Sequence, residues 1–381
     1  MSGVGRRVGR PLAAIVLGLL CGVSEAPAAD APVRAAPSGE AAPEFLLGAD
    51  VSSLDRLEVR GVSFDHGDSL RTALAVLRGH GFDTLRLSVL VDPATGFSGL
   101  GRSVAMGARI KGAGFRLFLD LECSDAPTGA GIHELPRRWK ALAAPALADT
   151  VKAYAQRVVT EFGAEGAKPD LVQIGREIGG GFLGDVGSVG PDSSAAAWDR
   201  FATLLSAGIA GVHAAAPRAR IVLHFEGGRA ARSGAALDSL RARDVGFDLV
   251  GVSWYPWYHG TLAQLKETLD VLAAHGAKDV LVLETAYPWT LDDADDVLNE
   301  VSQPSQLHPG YAATPAGQRA WVAAVIALAR SVPAARGVFY EEPTNISAKG
   351  VGSSWDNLAL FDADGGALPA LDAIREAAAG K

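Results

Sequence analysis

The sequence predicts an α/β protein built as a single (β/α)8 TIM barrel. Eight short β-type runs alternate with segments whose apolar residues recur at helical spacing, as in a parallel sheet with crossover helices. Two of these runs have a carboxylate at or just after their end, at the face where such barrels build their active sites. A doubly wound open sheet is the main alternative, but no glycine-rich phosphate loop follows the first run. The barrel is therefore favoured.

The predicted strands are short and apolar, as expected of strands buried on both faces. A typical intervening helix is indicated by Leu262, Leu265, Leu269 and Leu272. The longest connection, 288–315, follows the seventh run, and loops of that size are usually functional. The eight runs are 46–51, 84–89, 116–121, 170–175, 220–225, 247–254, 279–284 and 337–340.

The amino terminus predicts export. Residues 1–28 combine a basic start, an apolar stretch and small residues before the expected cleavage site, as in a signal peptide of a secreted or periplasmic bacterial protein. A membrane anchor is the alternative, but the apolar stretch is too short to span about 30 Å of hydrocarbon. Arg6-Arg7 hints at twin-arginine export, and Cys21 leaves lipidation open. Residues 29–43, rich in Ala and Pro, predict a disordered tether before the barrel of 44–381.

Composition limits the classes of partner. The chain of 381 residues has 48% hydrophobic residues, enough for one large core. Its formal charge of −8 and the lack of a basic stripe argue against nucleic acid. Cys21 and Cys123 are the only cysteines, so a mature chain without its signal forms no internal disulfide. We expect a monomer that has no membrane partner once the signal is removed.

Glu177 and Glu284 are the candidate catalytic residues. Each follows an apolar run, the fourth and the seventh. Glycoside cleavage needs one carboxyl group to protonate the leaving oxygen and a second to attack the anomeric carbon or activate water. Carboxylates at the ends of strands four and seven can converge over the centre of a barrel. The alternative is two unrelated surface carboxylates.

Aromatic residues cluster after the sixth run. Trp254, Tyr255, Trp257 and Tyr258 lie beside His259 within the segment 251–260. Flat aromatic faces at a cleft suit the apolar faces of sugar rings. The alternative is that they belong to the core at the barrel mouth.

The chain resembles glycoside hydrolase family 53, the secreted endo-β-1,4-galactanases of clan A, over nearly everything after Phe45. The resemblance implies retaining double displacement on (arabino)galactan, with Glu177 as acid/base, Glu284 as nucleophile, a polysaccharide or oligosaccharide partner and no organic cofactor. The motifs that carry it are Gly-Ala-Asp-Val-Ser-Ser-Leu at 48–54, Arg86 with Asp92-Pro93, Asp120 with Ser124-Asp125, Val-Gln-Ile-Gly at 172–175 with Glu177, Ser-Trp-Tyr-Pro-Trp-Tyr-His-Gly at 253–260, Glu-Thr-Ala-Tyr-Pro-Trp-Thr at 284–290 and Ser-Ser-Trp-Asp-Asn-Leu-Ala-Leu-Phe at 353–361. The substrate-binding positions that it implies are Asp50, Arg86, Asp125, Arg176, Trp254, Tyr255, Trp257, His259, Tyr287, Trp289, Glu341 and Trp355.

Three departures from the family pattern concern the same pocket. Arg176 stands where the family has an Asn that bonds the sugar hydroxyl next to the reacting carbon. Glu122 and Cys123 replace a His and a Tyr, and Glu341 replaces the Trp at the floor of the cleavage subsite. We predict an ion network of Arg176 with Glu122 or Glu341, because a buried Arg needs partners. The alternative is that Arg176 binds an acidic sugar. The changes at Arg176, Glu122 and Glu341 leave open a glycosidase of shifted specificity or a catalytically weak carbohydrate-binding barrel.

Other polar residues have weaker signals. Asp292, Asp293, Asp295 and Asp296 could hold calcium, although an acidic cluster in a long loop is typical of solvated surface. His133 and His308 are predicted at the surface, and His224 in the core or supporting the site.

Overall fold

The computed structural model describes residues 44–66, 69–129, 133–190 and 194–380. The predicted signal peptide and tether, 1–43, lie outside the described residues. The described residues, from Glu44 onward, form one compact unit. No helix of the described part is long and apolar enough to cross a membrane.

Eight parallel strands close into a barrel, which confirms the predicted fold class. The barrel order is β1-β10-β9-β8-β7-β6-β5-β4, and β2 pairs with β3 as a separate antiparallel hairpin. Each predicted run overlaps one barrel strand. The strands are β1 (Leu46–Asp50), β2 (Phe64–His66), β3 (Ser69–Arg71), β4 (Thr84–Val89), β5 (Arg116–Leu121), β6 (Leu171–Ile174), β7 (Arg220–Phe225), β8 (Leu249–Ser253), β9 (Val280–Thr285) and β10 (Ala335–Tyr340).

The helices follow the strands around the outside of the barrel. Several begin at a side-chain cap that satisfies a free backbone N–H: Thr261 and Gln264 form a capping box, and Thr314 accepts from the N–H of Gly317. The helices are α1 (Leu54–Val59), α2 (Ala73–Gly79), α3 (Leu100–Gly112), α4 (Ala144–Ala164), α5 (Gly184–Gly187), α6 (Ala195–Ala215), α7 (Ala230–Arg241), α8 (Pro256–His259), α9 (Leu262–Ala274), α10 (Pro315–Ser331) and α11 (Ala370–Ala379).

The barrel interior has an apolar floor and a polar upper layer. The floor is a cluster of inward side chains that includes Phe118, Leu281 and Phe339. Above it, towards the carboxyl ends of the strands, Arg86 and Glu284 are buried with other polar groups. The apolar floor keeps water out from below, so these polar groups need partners within the protein.

A bulge in β9 turns Glu284 into the barrel. Val252 of β8 pairs with Val282, but the next residue, Ser253, pairs with Glu284, so one residue of β9 is skipped. Leu283 belongs to the apolar floor, whereas Thr285 points outwards to the indole N–H of Trp321. Strict alternation would have pointed Glu284 away from the barrel centre, and the extra residue re-aims it.

Candidate active site

A cleft of 1900 Å³ lies over the carboxyl ends of the barrel strands. Glu177 and Glu284 both line it, together with Arg176 and Glu341. The cleft contains the two glutamates that the sequence singled out.

The two glutamates face each other across the cleft. One carboxylate oxygen of Glu177 and one of Glu284 lie within 4.8 Å of each other. Glu177 reaches this place from a left-handed backbone, with φ of 52°, two residues after Gly175, which also has positive φ. Such a conformation is uncommon outside glycine and is typical of residues that the surrounding structure fixes at functional sites.

Four groups contact the Glu284 carboxylate. Its Oε1 accepts a hydrogen bond from Arg86 Nη2 at 2.6 Å and lies 2.8 Å from Arg176 Nη2. Its Oε2 accepts from the hydroxyls of Ser253 at 3.0 Å and Tyr255 at 2.9 Å. A carboxylate has about four lone-pair positions, so nearly all of them are occupied.

Arg86, Arg176, Glu284 and Glu341 form a closed charge quartet. Both arginines contact both glutamates: Arg86 Nη2 lies 3.3 Å from Glu341 Oε2, and Arg176 Nη2 donates to Glu341 Oε1. Arg86 also donates from Nε to Asp50 at 2.6 Å. Two cations and two anions alternate, so the quartet carries no net charge when all four are ionised.

The surroundings shift the pKa values of the two catalytic candidates in opposite directions. Burial would raise the pKa of Glu284, but the charges of Arg176 and Arg86 outweigh it and hold that pKa well below its usual range. Burial and the charge of Glu284 raise the pKa of Glu177. One carboxyl is thus kept ionised and the other is biased to hold a proton, as acid and nucleophile roles require.

Uncharged groups support the nucleophile candidate from below. Ser253, the donor to Glu284, lies 3.0 Å from His224 Nε2, and His224 Nδ1 lies 3.4 Å from the amide nitrogen of Gln173. Burial lowers the pKa of His224 to about 3, so its ring is neutral at ordinary pH. The predicted supporting role of His224 agrees with this position.

The sequence comparisons decide the family. The profile of Glycosyl hydrolase family 53 matches residues 46–374. The chain belongs to glycosyl hydrolase family 53. It is therefore a glycoside hydrolase, as the motifs predicted.

Relatives of this family 53 chain cover most of its length. It is 35% identical to an uncharacterised protein of Niallia circulans, with 87% of this chain and 93% of the relative covered. It is 28% identical to the endo-beta-1,4-galactanase of Bacillus subtilis (strain 168), with 88% and 87% covered. Among solved structures, the family 53 catalytic domain of Ignisphaera aggregans superposes with a TM-score of 0.83 at 31% identity, with 91% and 98% covered.

Aromatic side chains form one wall of the family 53 cleft. Tyr255 and Trp355 line it, with ring centroids 5.7 Å apart, and Trp257 stacks behind Tyr255 at 5.2 Å. His259 also lines the cleft and accepts the backbone N–H of Tyr255 at 2.9 Å. Burial lowers the pKa of His259 to about 4, so it serves as a neutral acceptor.

Besides Asp50 and Arg86, five predicted substrate residues do not line the cleft. Trp254 is fully buried, and Trp257 packs on the aromatic wall. Asp125 accepts the backbone N–H of Arg137 at 2.8 Å. The remaining two donate hydrogen bonds to loop backbone. The hydroxyl of Tyr287 donates to the carbonyl oxygen of Tyr311, and the indole N–H of Trp289 donates to the carbonyl oxygen of Asp356. Direct sugar contact by these five stays a prediction.

Asp50 and Arg86 are buried beneath the cleft and act on the site through charge. Glu122 is also turned away from the expected partner, because its Oε2 accepts the N–H and hydroxyl of Thr128. The predicted network of Arg176 thus involves Glu341 and not direct contact with Glu122. Local bonding to Thr128, six residues along the chain, satisfies Glu122 without a long side-chain reach.

Several cleft residues were missed by the sequence reasoning. His133, predicted at the surface, is half-buried, lines the cleft, and has its Nε2 3.4 Å from the carbonyl of Glu177. Glu226 follows β7 directly and accepts the N–H of Gly179 at 3.1 Å. Its position just after a strand is the same signal that identified Glu177 and Glu284. Further lining residues are Thr128, Lys140, Arg229, Arg232, Glu300 and Glu342.

Metal ligands are few in the described part of the chain. Glu177, His224 and Glu284 form the group there with ligand atoms close enough for one ion. The two guanidinium groups on Glu284 would repel a cation, so this group fits proton chemistry better. Of the acidic loop residues, Asp295 accepts from the N–H groups of Val297 and Ser353 and from the hydroxyl of Ser347.

Glu341→Gln should change how stability depends on pH. Burial raises the pKa of Glu341 to about 8, with the charge of Glu284 adding to the shift and Arg176 opposing it. Because this folded pKa exceeds the unfolded value, the stabilisation from the bound proton is lost as pH rises through about 8. The variant keeps a neutral side chain at every pH. The melting temperature of the variant, relative to that of the wild type, should therefore rise between pH 5 and pH 9.

The surface variant Glu161→Gln is the control for this measurement, since Glu161 pairs with Arg157 on the exposed face of α4. Its difference from the wild type should stay nearly constant over the same range. A Glu341→Gln difference that is flat with pH would contradict the buried, proton-binding state of Glu341.

Proposed function

We propose that this family 53 chain hydrolyses β-1,4-linked galactan with retention at the anomeric carbon. One observation carries the proposal: carboxylate oxygens of Glu177 and Glu284 lie within 4.8 Å in a shared cleft. Retaining glycosidases hold their carboxyl groups about 5 to 5.5 Å apart, whereas inverting ones leave room for a water between them. The name of the Bacillus subtilis relative, an endo-beta-1,4-galactanase, supports the choice of polymer.

The proposed reaction is a double displacement. Glu284, held ionised by Arg86 and Arg176, attacks the anomeric carbon while the bond to the leaving oxygen breaks. Glu177 gives its proton to that oxygen, so the shorter saccharide leaves with a hydroxyl group. Glu177, now ionised, takes a proton from water, which attacks the glycosyl-enzyme and releases Glu284. The raised pKa of Glu177 suits both halves of the cycle.

We propose that the protein is exported from a bacterial cell and works as a monomer. The basic, apolar and small-residue segments of 1–28 support export. The proposal needs no organic cofactor, and calcium in the acidic loop at 292–296 stays a prediction.

A second candidate function is glycan binding with weak cleavage or with a shifted substrate. The observation that favours it is the position of Arg176, 2.8 Å from the nucleophile candidate and bonded to Glu341. An acidic sugar fits less well, because the glutamate partners already satisfy this arginine.

Sugar release from purified β-1,4-galactan tests the proposed function. We expect new reducing ends, and proton NMR of the earliest product should show the β-anomer before mutarotation. Arabinan, xylan and polygalacturonate serve as comparison polymers. If β-1,4-galactan cast in an affinity gel retards the migration of the protein, yet the protein releases no sugar, the binding function is correct. An α-anomer as first product would contradict the double displacement.

A further inference from the structure

We propose that Arg176 is a gate over the nucleophile and that Glu341 holds this gate in place, so that the bound saccharide must draw Arg176 away before cleavage. The inference rests on the proposed function, because it assigns Glu284 as the nucleophile. It makes Arg176 and Glu341 residues that determine which saccharides are cleaved and how fast.

Arg176 lies in the path of a sugar that approaches Glu284. An anomeric carbon must come to about 3 to 3.5 Å from the attacking oxygen. Arg176 Nη2 lies 2.8 Å from Glu284 Oε1, in the cleft from which the sugar arrives. Arg86 occupies a second position on the same oxygen, and two hydroxyls hold Oε2. In this arrangement no open approach to the carboxylate is left, and one contact has to be released.

Arg176 is held less firmly than the other three groups that contact Glu284. Arg86 is 0% exposed and fixed by Asp50 at 2.6 Å, so it cannot move into the cleft. Ser253 is buried and held by His224, and the ring of Tyr255 is packed against Trp257. The side chain of Arg176 is 15% exposed, and its ion-pair partners within the described part of the chain are Glu284 and Glu341. Arg176 is therefore the movable group of the four.

The carboxylate that holds Arg176 in place belongs to Glu341. This residue follows β10, and its Oε1 accepts from Arg176 while Oε2 lies 3.3 Å from Arg86. Through these two contacts Glu341 keeps Arg176 beside the buried Arg86. When Arg176 leaves Oε1 of Glu284, it can stay bonded to Glu341 and donate to a saccharide hydroxyl. The gate then becomes a contact to the substrate.

The experiment replaces both gate residues by neutral ones. The double variant Arg176→Asn/Glu341→Trp removes the two bonded side chains together, so neither is left buried without its partner. We expect its kcat/KM on β-1,4-galactan to exceed that of the wild type by about 10-fold to 100-fold, the range of one charged hydrogen bond. Each single variant should be slower than the double, because it leaves a buried ionisable group without its partner.

Two further proteins make the outcome decisive. Arg176→Gln/Glu341→Gln keeps the side-chain shapes closer to the original, and it replaces the first double variant if that one does not fold. Arg157→Asn alters an exposed arginine of α4, paired with Glu161, and should match the wild type. If the wild type cleaves galactan and neither double variant is faster, the gate is overturned.

A second readout does not depend on the sugar. A small epoxide alkylates a carboxylate that has a free approach, and peptide mapping locates the ester formed on Glu284. We expect labelling of Glu284 at least about tenfold faster in the double variant than in the wild type, and none in Glu284→Gln. If no protein cleaves galactan but labelling follows this order, the gate stands and the proposed substrate is wrong. Equal labelling in the wild type and the double variant overturns the gate.

Discussion

Glu284→Gln is expected to lower kcat on β-1,4-galactan by about 10⁴-fold or more. An amide cannot form the glycosyl-enzyme, so the first displacement is lost while the cleft keeps its shape. The amide oxygen can still accept from Arg86, and the amide nitrogen can meet Ser253 Oγ or the hydroxyl of Tyr255. The measurement is sugar release over hours at high enzyme concentration, with circular dichroism to show that the variant is folded.

Binding provides the control for this loss. Because Glu284→Gln removes an anion and leaves the aromatic wall intact, galactan in an affinity gel should still retard the migration of the variant. Activity within tenfold of the wild type would show that another group attacks the sugar, and the assignment of Glu284 would be wrong.

Glu177→Ala is the second large effect. Without the acid, kcat on galactan should fall by about 10²-fold to 10⁴-fold, because the leaving oxygen departs as an alkoxide. An aryl glycoside of a galacto-oligosaccharide leaves without protonation, so its first step should be nearly unaffected and the glycosyl-enzyme should accumulate. Sodium azide should then restore turnover on the aryl substrate and give a β-glycosyl azide. No rescue, or an α-azide, would contradict the role of Glu177.

The pH profile gives an independent check on the same residue. Burial and the charge of Glu284 raise the pKa of Glu177, so it keeps its proton to higher pH than an exposed glutamate does. Activity should fall as pH rises through that pKa, because the acid must be protonated for the first step. The alkaline limb should vanish for Glu177→Ala with the aryl substrate. An unchanged limb would assign the titration to another group.

The sequence identified most of the framework because its signals are local. Apolar runs and helical spacing depend on neighbouring residues, and they located all eight barrel strands. Glu177 and Glu284 were found because each follows such a run. Glu226 carries the same signal after β7 and was overlooked. His133 was misplaced because its position depends on a long loop, whose path no periodicity describes.

Contacts between distant elements were only partly accessible from the sequence. The need of a buried arginine for partners predicted the link between Arg176 and Glu341, 165 residues apart. The same argument offered Glu122, which instead bonds to Thr128 at close range. Charge balance indicates which residues can pair with Arg176, but the direction of each side chain determines which of them does.

The sequence by itself thus determined the barrel and the family, and it predicted the two candidate catalytic carboxylates. Only the tertiary structure decided how those carboxylates are presented. Alternation along β9 would turn Glu284 outwards, and a one-residue bulge against β8 brings it inside. The charge quartet likewise joins residues of β4, β9 and the segments after β6 and β10. Both features depend on strand register and side-chain direction, which are set by packing across the barrel and not by neighbours along the chain.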